Sequence, residues 1–331
     1  MKAEGTIVLT SSEVRSLLTL DTCMTAVEQV FKLYGEGNTQ APGILGVHCT
    51  NGGFHIKAGT LGLKRSYFAA KINANFPGNP KQHKLPTIQG VVLLADAENG
   101  YPLALLDSIS LTILRTGAAT GVAAKYLAQT DSRTLTVCGC GNQGNISVRA
   151  LTKVLPIEHI WAYDVDQSQA TNFALSLGKE LDIKIEVAHD LATAVVNSDV
   201  VVTCTTSTTA FIMAEDVSPG TFIAAVGADS SHKQELDPLL FSNTKVVVDL
   251  LDQCESIGDL HHAIDAGVIA RDQVYAELGH VIAGLKPGRT SEDEIIIFDS
   301  TGMALQDVIA SVAVYEQALI QKVGLRINLA A

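Results

Sequence analysis

Apolar positions along the chain change period several times, and each change predicts a different kind of element. The first forty residues carry a helical rhythm. Thr10-Ser-Ser-Glu13 has the form of a capping box, in which hydroxyl and carboxylate serve each other's backbone N–H groups, and it opens a short helix through Leu18. A longer helix is predicted from about Asp21, with Met24, Val27, Val30, Phe31 and Tyr34 at helical spacing and a stop near Gly35 or Gly37. Between residues 53 and 110 the period shortens. Apolar runs at 54–57, 67–72, 90–96 and 102–107 are separated by Asn51-Gly-Gly53, Pro77-Gly-Asn79 and Asn99-Gly100, which predicts an antiparallel meander. A helix from about Ser110 to Leu127 follows.

From Thr134 onward the rhythm is strand, helix, strand. Runs at 134–138, 159–163, 183–187, 199–204, 221–226 and 245–249 are apolar almost throughout, as strands of a parallel sheet covered on both faces are. Residues 302–323 read as a final helix, with Leu305, Val308, Val312, Val314 and Leu319 available for burial, able to return to the first domain. No internal repeat interrupts this order.

The strand Thr134–Cys138 runs straight into Gly139-x-Gly141-x-x-Gly144. Gly139 permits a tight strand-to-helix turn, Gly141 lets backbone N–H groups approach a pyrophosphate, and Gly144 lets the helix pack closely on the strand. Asp164 ends the next strand, where a carboxylate accepts hydrogen bonds from the adenosine ribose. That acid favours NAD over NADP, because a 2′-phosphate would sit beside a like charge. The alternative is a glycine-rich turn without a ligand.

Composition narrows the classes. With 331 residues, 47% of them hydrophobic, the chain is long enough for two domains with large cores. Its net charge of −12 and the absence of a basic block argue against nucleic acid and anionic membranes as partners. No stretch of about 18 apolar residues occurs, and Met1-Lys-Ala-Glu-Gly5 has no signal core, so a cytoplasmic protein is expected. Six cysteines and nine histidines show no metal-ligand spacing, so no metal is expected and the thiols are read as reduced.

Cations in apolar surroundings are the remaining anomaly. Lys71 interrupts the strand run at 67–72, and Arg115 lies in a small, apolar helix. His55 and Lys57 share one face of their strand by alternation. Each could be a structural ion pair or a snorkelling side chain. Beside a dinucleotide site they suit a small carboxylate, with Arg as a fork and Lys as a point charge. Asp229 is the complementary acid, at the carboxyl edge where doubly wound sheets place ligands. Its alternative is to cap a helix around Gln234-Glu-Leu236. Residues 203–207 end the preceding strand at the same edge, with hydroxyls able to line the cofactor ribose.

Several stretches resemble the ornithine cyclodeaminase/mu-crystallin family: residues 71–79, Leu85-Pro-Thr87, residues 115–119, the glycine turn, Gly227-Ala-Asp229 with Glu235-Leu-Asp237, Glu277-Leu-Gly279, residues 284–290, residues 298–302 and Gln306-Asp307. The resemblance implies an α/β fold in which a Rossmann dinucleotide-binding domain, residues 126–303, is inserted in a discontinuous α+β substrate and dimerisation domain, residues 1–125 and 304–331. It implies a homodimer and hydride exchange at the α-carbon of an amino or imino acid. Its carboxylate positions fall on Lys71 and Arg115, and its acid/base position on Asp229. Lys71 and Asp229 are thus the expected catalytic residues, and Arg115, Lys71, Lys57 and His55 the substrate binders. The expected cofactor set is Gly139, Gly141, Asn142, Gln143, Gly144, Asp164, Thr203, Thr205, Ser207, Thr87, Thr116 and Val226.

This chain departs from the family pattern twice. Ala41-Pro-Gly-Ile-Leu-Gly46 lacks the further cation usual after its proline, and His55-Ile-Lys57 replaces a methionine-proline, so that Lys57 stands where it can restore the charge. The expected activity is an NAD-dependent cyclodeaminase that converts L-ornithine, or a homologue such as L-lysine, to proline or pipecolate plus ammonia. An NAD(P)H-dependent Δ1-pyrroline-2-carboxylate (cyclic imine) reductase or an amino-acid dehydrogenase is the second reading, and a non-catalytic NAD(P)H-binding protein of the mu-crystallin kind the third.

Overall fold

The computed structural model describes residues 5–40 and 42–329. Residues 1–4, which hold most of the N-terminal stretch without an apolar core, and Ala41 lie outside the described residues. The chain divides into two compact units, residues 1–115 with 303–331, and residues 116–302. This division and the one drawn from sequence at 125/126 both fall inside the single helix Ser108–Leu127.

Unit 1 is built on a seven-stranded sheet. Strands Gly43–Cys49, Gly52–Gly62, Ser66–Asn75, Ile88–Asp96 and Pro102–Asp107 pair antiparallel in chain order, which is the expected meander with one strand more. The added strand, Gly43–Cys49, is exposed at every position, so no buried face imposes an alternation by which it could be read. Thr6–Leu9, expected within a helical stretch, is a strand, parallel to Pro102–Asp107 and antiparallel to Leu325–Ile327. Its β-branched core fits a pleated, buried position, and helical periodicity begins only with the capping box at Thr10, both halves of which form. The helix Ala304–Gln321 covers the inner face of the sheet. Gly59 makes room for it, since a Cβ there would lie 3.0 Å from Leu305 Cδ2.

Unit 2 is a doubly wound α/β unit. Eight strands pair in parallel in the order Ala276–Glu277, Lys245–Val248, Ile296–Asp299, Phe222–Ala225, Val200–Thr203, Thr134–Cys138, His159–Tyr163, Lys184–Val187. From Thr134–Cys138 the chain winds outward through two strands, then returns to the other side at Val200–Thr203. The glycine turn therefore opens at the topological switch point, where such sheets leave a crevice. Gln234–Leu236 forms a short parallel pair with Thr208–Ile212 instead of the helix considered for it, so Asp229 is no N-cap there. The buried carboxylate of Asp259 takes the N–H groups of both Glu235 and Leu236, a tertiary partner that local propensity cannot reveal.

Gly139 has φ of +100°, a conformation that favours glycine. Gly144 is the tightest point, because a Cβ there would lie 2.0 Å from the Gly139 carbonyl oxygen. Gly144→Ala is expected to destabilise the protein by about 1–3 kcal/mol through overpacking. A urea transition shows this as a lower midpoint at unchanged slope, and an unchanged midpoint would refute the close packing.

Candidate functional site

In unit 1 the cations of the sequence converge on one carboxylate. Lys71 is 3% exposed, and its Nζ lies 2.9 Å from Oδ1 and 2.8 Å from Oδ2 of Asp307. Arg115 donates through Nε to Asp307 Oδ1 at 3.1 Å and through Nη1 to Gln306 Oε1 at 3.0 Å. The structural ion pair held open for both residues is therefore present. It is unbalanced, however: two buried cations share one anion. Lys57 stands directly opposite Lys71 in the antiparallel register, so the two occupy the same face of the sheet. His55, opposite Asn73, shares that face by alternation but is exposed.

The electrostatics follow from burial. Desolvation pushes the Lys71 ammonium down to about 7, with Arg115 and Lys57 adding to the shift and Asp307 opposing it. Burial alone would raise the Asp307 carboxyl, but Lys71 and Arg115 outweigh it and hold the group below its usual range. Gln306 Nε2 is buried with no hydrogen-bond partner, a donor without an acceptor beside an excess of positive charge. An anion that accepts hydrogen bonds is the chemical complement of this cluster.

Unit 2 gathers the expected cofactor residues along its carboxyl edge. Gly141 is exposed, and a Cβ there would meet nothing within 4 Å. It precedes the helix Asn142–Val154, whose N-terminus has no side-chain cap and no acid in its first turn. Unserved N–H groups and the positive end of the helix dipole thus face open space, which fits a pyrophosphate. Asp164 Oδ2 accepts the Cys140 N–H at 2.8 Å and Oδ1 the Asp166 N–H at 2.9 Å. These bonds fix the carboxylate beside the turn and leave lone pairs for ribose hydroxyls. Asn142 and Gln143 form the first turn of the helix, and Gln143 Oε1 is buried without a partner. The residues present fit a dinucleotide.

Other expected residues are placed less directly. Thr203 is fully buried, which takes its hydroxyl out of reach of a surface ligand, whereas Thr205, Ser207 and Val226 are partly exposed. The hydroxyl of Thr205 accepts the Ser207 N–H at 3.1 Å, so it also serves the loop itself. Asp229 is exposed beyond the strand Phe222–Ala225, and Lys233 Nζ lies 2.6 Å from its Oδ1. Thr87 accepts the Phe76 N–H through its carbonyl in unit 1, and Thr116 lies buried in the long helix. Two buried acids beside these expected residues, Asp307 and Glu235, carry no role in the sequence pattern. Asp307 is the one charge in residues 302–315, as Lys71 is in 67–72, and the same desolvation argument finds both. Among the described residues no group of three or more His, Cys, Asp or Glu is placed to hold a metal ion, and no helix is long and apolar enough to cross a membrane.

Comparison with known proteins follows the same lines. The model of the ornithine cyclodeaminase/mu-crystallin family matches residues 4–322. An alanine dehydrogenase of Archaeoglobus fulgidus is 41% identical over 324 residues, covering 98% of each chain. Among solved structures, an archaeal alanine dehydrogenase dimer with bound NAD superposes with a TM-score of 0.93 at 41% identity, covering 98% of this chain and 99% of that one. The Thermococcus litoralis Δ1-pyrroline-2-carboxylate reductase in complex with NADH and L-proline gives a TM-score of 0.91 at 31% identity, covering 97% and 100%. The chain belongs to the ornithine cyclodeaminase/mu-crystallin family, and its Rossmann unit is the dinucleotide-binding half of that fold.

Proposed function

We propose that this protein is an NAD-dependent oxidoreductase that exchanges a hydride at the α-carbon of a small amino or imino acid. It would work as an amino-acid dehydrogenase or imine reductase. The observation that carries the reading is the unbalanced cluster of Lys71, Arg115 and Asp307. Its surplus positive charge is matched by a single α-carboxylate. The Arg115 guanidinium has five N–H groups, of which two are committed to Asp307 and Gln306, so others can serve the substrate. Asp307 holds both cations in place, and such positioning lowers the entropic barrier to reaction. Bound NAD supplies the chemistry of accepting or returning the hydride. Asp229 is assigned the proton exchanged with the substrate nitrogen. The carboxylate binder belongs to unit 1 and the dinucleotide site to unit 2, so turnover itself tests whether they act on one molecule.

A cyclodeaminase asks more of Asp229, which must hold the terminal ammonium of ornithine or lysine. Here the Lys233 ammonium already sits on that carboxylate at 2.6 Å. A free diamine would have to displace a tethered cation of the same chemistry, which favours the dehydrogenase or reductase. The deciding assay follows absorbance of NADH with pyruvate plus ammonia and with Δ1-pyrroline-2-carboxylate, and seeks proline and ammonia from ornithine with catalytic NAD. Net NADH oxidation with either imine source is expected. Proline formation from ornithine without net reduction would replace the proposal with the cyclodeaminase, and tight NADH binding without turnover would favour a binding protein. Arg115→Lys is expected to raise KM about 10- to 100-fold, the size of a lost charge-assisted hydrogen bond, with kcat less affected. Equal KM values would remove Arg115 from carboxylate binding.

Asp164 supports NAD as the preferred cofactor. The wild type is expected to bind NADH at least about tenfold more tightly than NADPH, and Asp164→Ser to narrow that gap by removing the charge beside a 2′-phosphate. Fluorescence titration of both nucleotides measures it. A gap that Asp164→Ser leaves unchanged would show that another group sets the preference.

The outer face of the unit 1 sheet supports a homodimer. Leu45, Ile56, Ile72 and Val91 lie in register across four strands, and Leu45, Ile72 and Val91 are 57%, 39% and 39% exposed. Ala58, Ala70 and Leu93 form a second in-register row beside them. A contiguous apolar sheet face of this kind calls for a matching one, and a second copy supplies it. The protein is expected to run in solution at twice its 35.0 kDa mass, and Ile72→Asp to convert it to monomer in light scattering. A dimer that survives that charge would place the interface elsewhere.

A further inference from the structure

The loops 203–207 and 226–229 leave adjacent strands of the parallel sheet and carry residues assigned to cofactor and proton transfer. Glu235 bridges them. Its Oε1 accepts the Thr205 N–H at 2.5 Å and its Oε2 accepts the Gly227 N–H at 3.0 Å. The residue is fully buried, and a Cβ on Gly227 would lie 2.4 Å from each of its carboxylate oxygens. Glu235 is itself fixed from behind. Its own N–H and that of Leu236 donate to Asp259 Oδ1 at 2.7 and 3.0 Å, and Asp259 is also fully buried. On the near side, Lys233 Nζ lies 3.2 Å from the Gly227 carbonyl oxygen, so the same loop is gripped at both its N–H and its carbonyl.

Only a carboxylate does this task. Two N–H groups that approach from different loops need two acceptors, and an amide side chain of the same shape offers one acceptor and one donor. Keeping an acid in this interior is costly, as the direction of its titration records: burial, with Asp259 adding to it, raises the Glu235 carboxyl above its usual range. Packing alone gives no reason for an acid here, since an apolar side chain of similar volume would fill the space without that cost.

We propose that Glu235 is a positioning residue that sets the spacing of the two strand-end loops and, through them, the seating of the dinucleotide. The inference rests on the NAD reading given above. It assigns Glu235 no contact with substrate or cofactor.

Glu235→Gln tests it, because it preserves volume and turns one acceptor into a donor that faces an N–H. Two readouts are needed: hydrogen–deuterium exchange over 203–207 and 226–229 in the ligand-free protein, and the dissociation constant of NADH from fluorescence titration. The variant is expected to keep its circular dichroism, to exchange faster in at least one of the two loops, and to bind NADH about 10- to 100-fold more weakly. Gly227→Ala, which drives the carboxylate away from the opposite side, is expected to act in the same direction and serves if Glu235→Gln fails to fold. Unchanged exchange overturns the bridge. Faster exchange with an unchanged dissociation constant reduces Glu235 to a structural residue and overturns the proposal as well. Failure of the wild type to bind NADH would overturn the NAD reading and this inference with it, whereas binding that neither variant weakens overturns the inference alone.

Discussion

Charge burial around Asp307 is the constraint on which unit 1 depends. Burial works against the charge on Lys71, the Arg115 guanidinium keeps its charge and is costly to bury unpaired, and a lone carboxylate would fare no better. Asp307 makes the group tolerable, and removing one partner from such a cluster costs about 3–5 kcal/mol. Yet it does not make the group neutral. The residual charge is a standing demand for an anion, created by the same contacts that hold the helix Ala304–Gln321 against the sheet. The contacts that hold the helix in place and the proposed carboxylate site therefore draw on the same atoms. Burial, with Arg115 and Lys57 adding to it, lowers the affinity of Lys71 for its proton, and Asp307 offsets this only in part.

Unit 2 meets its ligand by the opposite strategy. Its glycine turn leaves space and unserved N–H groups, and charge enters only through the fixed carboxylate of Asp164. Around that opening the interior is tightly determined. Glu235 spends both carboxylate oxygens on N–H groups of neighbouring loops, and Asp259 spends Oδ1 on two N–H groups of the strand Gln234–Leu236. Acids in a core serve here as acceptors in places where the main chain has run out of partners.

What the sequence disclosed and what it hid divide along physical lines. The glycine turn, its flanking strands and the long helices were legible because each is specified locally, by a conformational need or by a period imposed by one buried face. Lys71 and Arg115 stood out because a charge among apolar neighbours is costly. Their partner did not, although Asp307 is the one charge in residues 302–315, because Gln306 and Ser311 beside it give that helix a polar stripe into which an acid fits. Gly43–Cys49 gave no signal because neither of its faces is buried in the single chain. Gln234–Leu236 gave a false one, since its extended form is set by Asp259, a residue remote in sequence. The role of Glu235 was illegible for the same reason: both of the N–H groups it serves belong to loops that come together only in the folded sheet.

The salt bridge between Lys71 and Asp307 spans 236 residues of sequence. Unit 2 lies entirely within that span, as one continuous stretch of chain. During synthesis the dinucleotide half can therefore complete its sheet while unit 1 still lacks its last helix, and with it the carboxylate that its buried cations require. Until Asp307 emerges, Lys71 and Arg115 have no reason to be buried, and the meander has no helix to cover its inner face. The order of the chain thus permits an order of assembly, in which the dinucleotide half closes first and unit 1 waits for Asp307 to emerge.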